Sequence, residues 1–530
     1  MEERRNRVGI FMAFGTQGDV YPIAALATAF ALDQKEYRIF FMTHSAHQNL
    51  SPYLDEVNVR FISIKSPPTL STQQDAKSAD SEESLFDQMK TIISIEQRQD
   101  CFSAVESILG GGSCVDGSFI LINYFALEGW NLAEAFHVRC VVAAPYVVPY
   151  SAALSFERQF SAEHPTLYKC LHGASSGKVS WKDVMHWMWP LFTERWGMWR
   201  CTELNLSPFP LTDPVTGLTR LHDWPDSPLV LYGFSDKIVE CPDYWPGNTH
   251  ACGFWFLPCE WQFSCKECRE SVSLQSHSKA STLSNLCISH FKFQAFLENS
   301  DSVRPIFLGL SSIGSMGFLK DPYVFLRVIE RVIAMTNHRF VLFTAGYEPL
   351  DEAVRAISIG QRCSIPSNSS KDCVFLFQDR LLSFSGMLSY KWLFQKCSAA
   401  IHHGGSGTTA AALHAGIPQV VCPFIMDQFY WAEKMHWLGV APPQLPRHCL
   451  IPDNMDDATL QYAASMISTS LDFALSLDTR NRAVEIATSL SSEVRYYILM
   501  CQFVYDNHLI FLSFRMVWLL QLDFSSMIYV

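Results

Sequence analysis

Short apolar runs alternate with segments of helical period in two separate stretches of this chain. In the first, residues 8–14, 37–42, 59–64, 119–123 and 140–144 have the length and content of buried strands. Helices are expected between them at about 21–32 and 127–136. In the second, 304–310, 340–344, 374–377 and 397–401 read as strands, and 471–497 reads as helix. Strands that alternate with helices imply parallel sheets with right-handed crossovers. Residues 66–83 are rich in Pro, Ser, Gln and Asp and read as a mobile loop; 259–302, polar and Ser-rich, read as a linker or surface insertion. Residues 181–199 carry five tryptophans with Met185, Met188, Leu191 and Phe192 among them. Such a stripe marks a core helix, with a ligand wall as the other reading.

Length supports this division. A chain of 530 residues exceeds one ordinary core, and 48% apolar content is ample for two α/β cores. The expected domains are 1–245, a connecting stretch 246–302, a second domain 303–490, and a C-terminal helix with an apolar tail, 491–530. The net charge of −12 argues against nucleic acid, whose phosphates call for a basic surface. Seventeen cysteines, an odd number at irregular spacing and with no secretory signal pattern ahead of them, read as reduced thiols of a cytoplasmic protein. Cys259, Cys265, Cys268 and Cys287 invite a zinc reading. Only Cys265 and Cys268 are closely paired, however, and without a second pair no metal is expected. No run is long enough to span a bilayer. The apolar segment 509–522, interrupted by Arg515, reads as an atypical tail or as a foot for peripheral membrane contact.

The segment 400–428 carries the most chemistry. A buried strand ends at Gly404, Gly405 and Gly407, and Thr408 or Thr409 can cap a helix over 410–415 that Gly416 and Pro418 stop. Glycines ahead of a helix let the backbone close on a ligand, and the helix N-terminus favours an anion. The loop therefore suits a phosphate or diphosphate. Asp427 and Gln428 follow the next strand on the same sheet edge, and an acceptor-only group beside a donor-and-acceptor group suits a ring of hydroxyls. Diphosphate beside polyol points to a nucleotide-sugar.

This segment, with His402-His403-Gly-Gly-Ser-Gly-Thr-Thr and Pro423-Phe-Ile-Met-Asp-Gln-Phe-Tyr-Trp431, resembles the donor signature of UDP-sugar glycosyltransferases with the GT-B fold, and within them the sterol 3-beta-glucosyltransferase branch. Gly15-Thr-Gln-Gly-Asp19-Val-Tyr-Pro22 resembles the branch's N-terminal motif, and the likeness extends patchily over 6–495. The resemblance implies an α/β chain of two Rossmann-like domains facing across a cleft. It implies inverting transfer of glucose from UDP-glucose, a co-substrate, to the hydroxyl of a lipophilic acceptor, with a sterol expected and no metal. A terpenoid or phenolic acceptor is the alternative within the class; a UDP-sugar-binding protein without transfer is the alternative outside it.

The resemblance also assigns roles. Asp19 is the general base, against the plainer reading that it only caps the following helix. His403 donates to the diphosphate, with Gly404, Gly405, Ser406, Gly407 and Thr408 around it, while His402 is structural. Thr16, Gln17 and Ser312 border the donor, Leu388 offers backbone contacts to uracil, Tyr390 stands near it, and Asp427 and Gln428 hold the sugar. The chain departs from the family at Gln17 and Tyr390, where the pattern has Arg and His, and at Ser311, where it has Gly. The acceptor wall is expected from 123–130 and 146–153, with the tryptophan stripe beside them.

Overall fold

A computed structural model describes residues 7–67, 79–110, 116–147, 152–153, 155–193, 196–222, 224–276, 286–298, 303–310, 313–314, 316–360 and 372–491, with the backbone alone over 79–91. Ser311, Ser312, most of 66–83 and the tail after Leu509 lie outside them. The described chain forms two compact units, one running to Phe256 and the other beginning at Leu257.

The first unit is built on seven strands: β1 (Arg7–Met12), β2 (Tyr37–His44), β3 (Val59–Ile64), β4 (Phe119–Ile122), β5 (Arg139–Ala144), β6 (Leu229–Tyr232) and β7 (Thr249–Ala251). They lie in the order β3-β2-β1-β4-β5-β6-β7, every pair parallel. β7 extends this sheet past residue 245, where the first domain is expected to end. Ile10, Phe11, Met12 and the whole of β4 are buried, as in a parallel sheet covered on both faces. The chain order reverses between β1 and β4, and the loops leaving those two strands meet at the switch point, where open α/β sheets bind ligands.

The second sheet contains β8 (Ile306–Gly309), β9 (Phe340–Phe343), β10 (Cys373–Leu376), β11 (Leu381–Phe384), β12 (Ala399–His402) and β13 (Gln419–Val421), ordered β10-β11-β9-β8-β12-β13. Its switch point lies between β8 and β12. β10 and β11 pair antiparallel, against the all-parallel expectation. Phe377, Gln378 and Asp379, all at positive φ, turn the chain back between them. Arg380 then fastens the turn to the end of helix Pro322–Met335 and the residues after it, donating to Ile333 O at 2.8 Å and His338 O at 2.9 Å. No glycine marks that turn, so the local pattern hides it.

Other expectations change in detail. The first helix spans Gln17–Asp33, starting a turn earlier than its pattern, because Thr16 and Asp19 form a capping box that outweighs Gly18 and Pro22. The tryptophan stretch is core, with Trp187, Trp196 and Trp199 buried, but Pro190 and a π turn over Val184–Met188 break it into short helices. Within the stretch expected to be a linker or insertion, helices Lys266–Ser276 and Phe291–Glu298 pack in the second unit, with Phe293 fully buried. That folding also brings Cys287 and His290 beside Cys265 and Cys268, with ligand atoms within 4.8 Å of one another, a grouping that the cysteine pattern alone does not reveal.

Candidate functional site

In the first unit the turn after β1 is over-determined by hydrogen bonds. Thr16 is the N-cap of helix Gln17–Asp33, and its backbone N–H and hydroxyl both donate to Asp19 Oδ2, at 2.7 and 2.9 Å. Asp19 is thus the partner of the cap rather than the cap. One carboxylate oxygen is engaged there, and burial raises the group to about 6 despite the lowering effect of the Thr16 bonds. Asn123, fully buried, ties the turn to the loop after β4. Its Nδ2 donates to Phe14 O at 2.8 Å and Asp19 O at 3.4 Å, while its Oδ1 accepts from Phe14 N and Phe125 N. His47 Nε2 stands 3.0 Å from Gly15 O. These partners lie far apart in sequence, and no local signal points to them. Gln17 is exposed at the first helical position.

Gly15 has φ +108°, and a Cβ there would stand 2.5 Å from Asp19 Oδ2. Gly15→Ala should therefore cost on the order of 1–3 kcal/mol of backbone strain and displace the carboxylate. The expected result is a lower thermal midpoint together with lost activity; an unchanged midpoint would show that the turn relaxes freely.

Aromatic rings line the loops after β4 and β5. Tyr146 packs 6.3 Å from Tyr124 and 6.1 Å from Phe125, and Trp187 lies 6.5 Å from Tyr124. Tyr124, Tyr232 and His186 form a hydrogen-bonded chain, 3.0 and 2.8 Å between successive polar atoms. The two loops and the tryptophan stretch thus do meet, and the first of these loops carries Asn123, which bonds to the Asp19 turn.

In the second unit the glycine loop leaves β12 at the switch point. His402, fully buried, closes on its own fold: Nε2 lies 2.9 Å from Gln419 Oε1, and Nδ1 accepts from Gly404 N–H at 3.0 Å. His403 is placed differently. Its ring is buried against Gly405, and its Nδ1 has no hydrogen-bond partner among the described residues. Burial, with His402 beside it, lowers His403 to about 3, so the imidazole is neutral. Gly404 sits at φ +89°, and a Cβ would press on Val421 and on the backbone oxygen of Gln428. The loop thereby draws Gln428 against its glycines.

The following helix, Ser406–Ala415, begins four residues earlier than its pattern suggests, with Gly405 as N-cap; Gly416 at φ +68° ends it. Ser406, Gly407 and Thr408 therefore form the first turn, whose N–H groups have no intrahelical acceptor. No acidic residue stands in that turn, which leaves its positive end open to an anion. The short helix Tyr390–Phe394 packs against it, with Leu388 buried just ahead. Tyr390 stacks on Phe394 and packs edge-on against Phe307, rings 5.3 and 5.2 Å apart. Asp427 caps no backbone group; its Oδ2 accepts from Trp431 Nε1 at 3.0 Å. Gln428 Oε1 is taken by Phe424 N at 2.9 Å and Ile425 N at 3.2 Å. The side chain read as both donor and acceptor thus offers a ligand only its amide hydrogens.

Leu388, Tyr390, the 403–408 loop and the Asp427–Gln428 pair converge on one sheet edge of the second unit. Thr16, Gln17 and Asp19 belong to the first unit.

Known proteins resemble this chain in sequence and in fold. The C-terminal domain of erythromycin biosynthesis protein CIII-like proteins matches residues 380–471, which hold the whole glycine loop and the Asp427–Gln428 pair. A sterol 3-beta-glucosyltransferase of Arabidopsis thaliana is 23% identical over 91% of this chain, and one of Aspergillus terreus 21% identical over 81%. The chain spans 65% of the former protein and 26% of the latter. Among solved structures, the calicheamicin glycosyltransferase CalG4 shares the fold with TM-score 0.51, 15% identity and coverage of 92% of this chain and 95% of its own. The glycosyltransferase of kitacinnamycin does so with TM-score 0.52, 12% identity and coverage of 94% and 99%. Among the described residues no helix is long and apolar enough to cross a membrane. The chain thus shares the GT-B fold of solved glycosyltransferases and is similar, at low identity, to sterol 3-beta-glucosyltransferases.

Proposed function

We propose that this protein transfers glucose from UDP-glucose to the hydroxyl of a lipophilic acceptor, a sterol before other candidates, with inversion at the sugar. The observation that carries the reading is His403: a neutral, buried imidazole with an unpartnered Nδ1, beside a glycine loop that opens a helix N-terminus. A buried polar atom without a partner is rare in a folded protein, and a ligand acceptor explains it. Donation from His403, with the first-turn N–H groups of Ser406, Gly407 and Thr408, would stabilise charge on the departing diphosphate. The region of Leu388 and Tyr390 would take the uridine, and Asp427 with the Gln428 amide would hold the glucose hydroxyls. Asp19, raised to about 6, has the basicity to accept the proton of the attacking hydroxyl. One base-activated displacement inverts the anomeric carbon.

The aromatic loops after β4 and β5 favour a flat apolar acceptor, and the sterol glucosyltransferase relatives support that choice. Purified protein with UDP-glucose should therefore glucosylate a sterol in preference to a phenol, with only slow hydrolysis when no acceptor is present. Transfer to the phenol but not the sterol would overturn the acceptor; UDP-glucose binding without transfer to any acceptor would reduce the protein to a nucleotide-sugar binder.

Gln428 gives a cleaner test of the sugar site than its position suggests. Gln428→Ala would also strand the Phe424 and Ile425 N–H groups, whereas Gln428→Glu keeps their acceptor and removes the donor. The Glu variant should bind UDP nearly normally and UDP-glucose much more weakly, since a lost partner for a buried hydroxyl discriminates strongly. Equal loss for both ligands would place Gln428 in the fold rather than at the sugar.

A further inference from the structure

Away from the donor loop, the second unit gathers three thiols and an imidazole into one small cluster. Cys265 immediately precedes helix Lys266–Ser276 and Cys268 stands in its first turn. Cys287 is the N-cap of the 3-10 turn Ile288–His290, which runs into helix Phe291–Glu298. The sequence is thus Cys265-Lys-Glu-Cys268 and Cys287-Ile-Ser-His290, two pairs of the same short spacing, each at a helix start. Their ligand atoms all lie within 4.8 Å of one another, and Cys268, Cys287 and His290 are buried.

The distances discriminate between explanations. Cys268 Sγ is 3.3 Å from Cys287 Sγ, which in turn is 3.7 Å from Cys265 Sγ. His290 Nδ1 is 3.3 Å from Cys268 Sγ and 3.1 Å from Cys287 Sγ. A disulfide would bring two sulfurs to about 2.0 Å. A tetrahedral zinc with bonds of about 2.3 Å to sulfur and about 2.0 Å to nitrogen needs edges of roughly 3.8 and 3.6 Å, within about half an ångström of these. Each residue already turns the atom a metal would take toward the common centre. His290 presents Nδ1 there, while its Nε2 faces Asp372 Oδ2 at 3.8 Å, the carboxylate-backed arrangement that orients metal-binding imidazoles. The backbone N–H of Cys287 points at Cys268 Sγ, 3.5 Å away, and so fixes the position of that sulfur.

We propose that Cys265, Cys268, Cys287 and His290 bind one zinc ion, with Asp372 as the outer partner of His290. Four protein ligands close the coordination sphere, so the site is structural. Zinc fits a tetrahedral sulfur-and-nitrogen set better than magnesium or calcium, which take oxygen. Binding releases the thiol protons to solvent as the zinc–sulfur bonds form, with no change of oxidation state. The ion would join helices Lys266–Ser276 and Phe291–Glu298 and secure them to the residue ahead of β10. Ser264, adjacent to Cys265, accepts from Met387 N–H through its hydroxyl oxygen at 2.9 Å and donates its own N–H to Met387 O at 2.9 Å. The knot is therefore bonded directly to the loop that carries Leu388.

The test is metal content of the full chain purified under reducing conditions, followed by chelation and titration with cobalt(II) alone. The expected result is about one zinc per chain, and cobalt bands of a tetrahedral thiolate site in the stripped protein. Cys268→Ser and His290→Gln should lose the zinc, while Cys259→Ser, outside the cluster, keeps it. Asp372→Asn should keep all four ligands and weaken zinc by roughly 10–100-fold. Because a ligand variant can fail to fold, the cobalt spectrum of the stripped native chain is the deciding measurement. Absence of thiolate bands in folded, reduced protein, iron or copper in place of zinc, or a Cys268–Cys287 disulfide under those conditions would overturn the assignment.

Discussion

Asp19→Asn should lower sugar transfer by roughly 10²–10⁴-fold while leaving UDP affinity near its native value. The amide keeps the shape and one oxygen to accept from Thr16, so the helix cap survives, but it cannot take a proton. The native enzyme should also lose activity as pH falls through about 6, because the base must be ionised and burial has raised it there. The variant's residual activity should lack that limb. His403 is lowered to about 3 and His402 to about 4, so neither supplies a limb near pH 6. Stability carries the opposite sign. A carboxyl raised in the folded state holds its proton longer than in the unfolded chain, so its contribution falls as pH rises from the usual carboxylate value through about 6. The Asn variant escapes that fall and should melt no lower than the native protein at neutral pH. Near-normal turnover in the variant, with no change in the pH profile, would leave Asp19 only its capping bonds.

His403→Ala should weaken UDP binding and slow transfer together, at about 2–4 kcal/mol by analogy with removal of a single donor from an oxyanion site. The substitution leaves no buried charge behind, because the native imidazole is neutral, and it removes an unpartnered nitrogen from the core. Folding stability should therefore change less than activity. His402→Ala is the contrast. It breaks bonds to Gln419 and Gly404, and should lower the melting temperature before it affects chemistry in the protein that remains folded. Calorimetric UDP affinity and thermal midpoints of both variants separate the cases. If His403→Ala binds UDP normally while His402→Ala does not, the roles of the two imidazoles are reversed.

Several features were legible from the residues alone, for a common reason. Continuous apolar runs such as 8–14 and 119–123 can be satisfied only inside a parallel sheet, and glycines between a strand and a helix allow few conformations. The strand positions, the glycine loop of 404–407 and the αL stop at Gly416 follow from local backbone and burial constraints. The start of the first helix lies in a side chain–backbone exchange between Thr16 and Asp19, which is local but leaves no mark on the apolar periodicity.

What required the tertiary structure are contacts between residues remote in sequence. Asn123 reaches the Asp19 turn only because β4 lies beside β1. The antiparallel turn at Phe377–Asp379 depends on Arg380 finding the end of another helix. Gln428 reads as a free amide until the fold spends its oxygen on Phe424 and Ile425. Cys265 and Cys268 meet Cys287 and His290 only when two helices of an apparently featureless stretch pack together. Periodicity reports how one segment meets the core; it carries no information on which distant polar atom will become its partner, because that choice belongs to the packing of the whole unit.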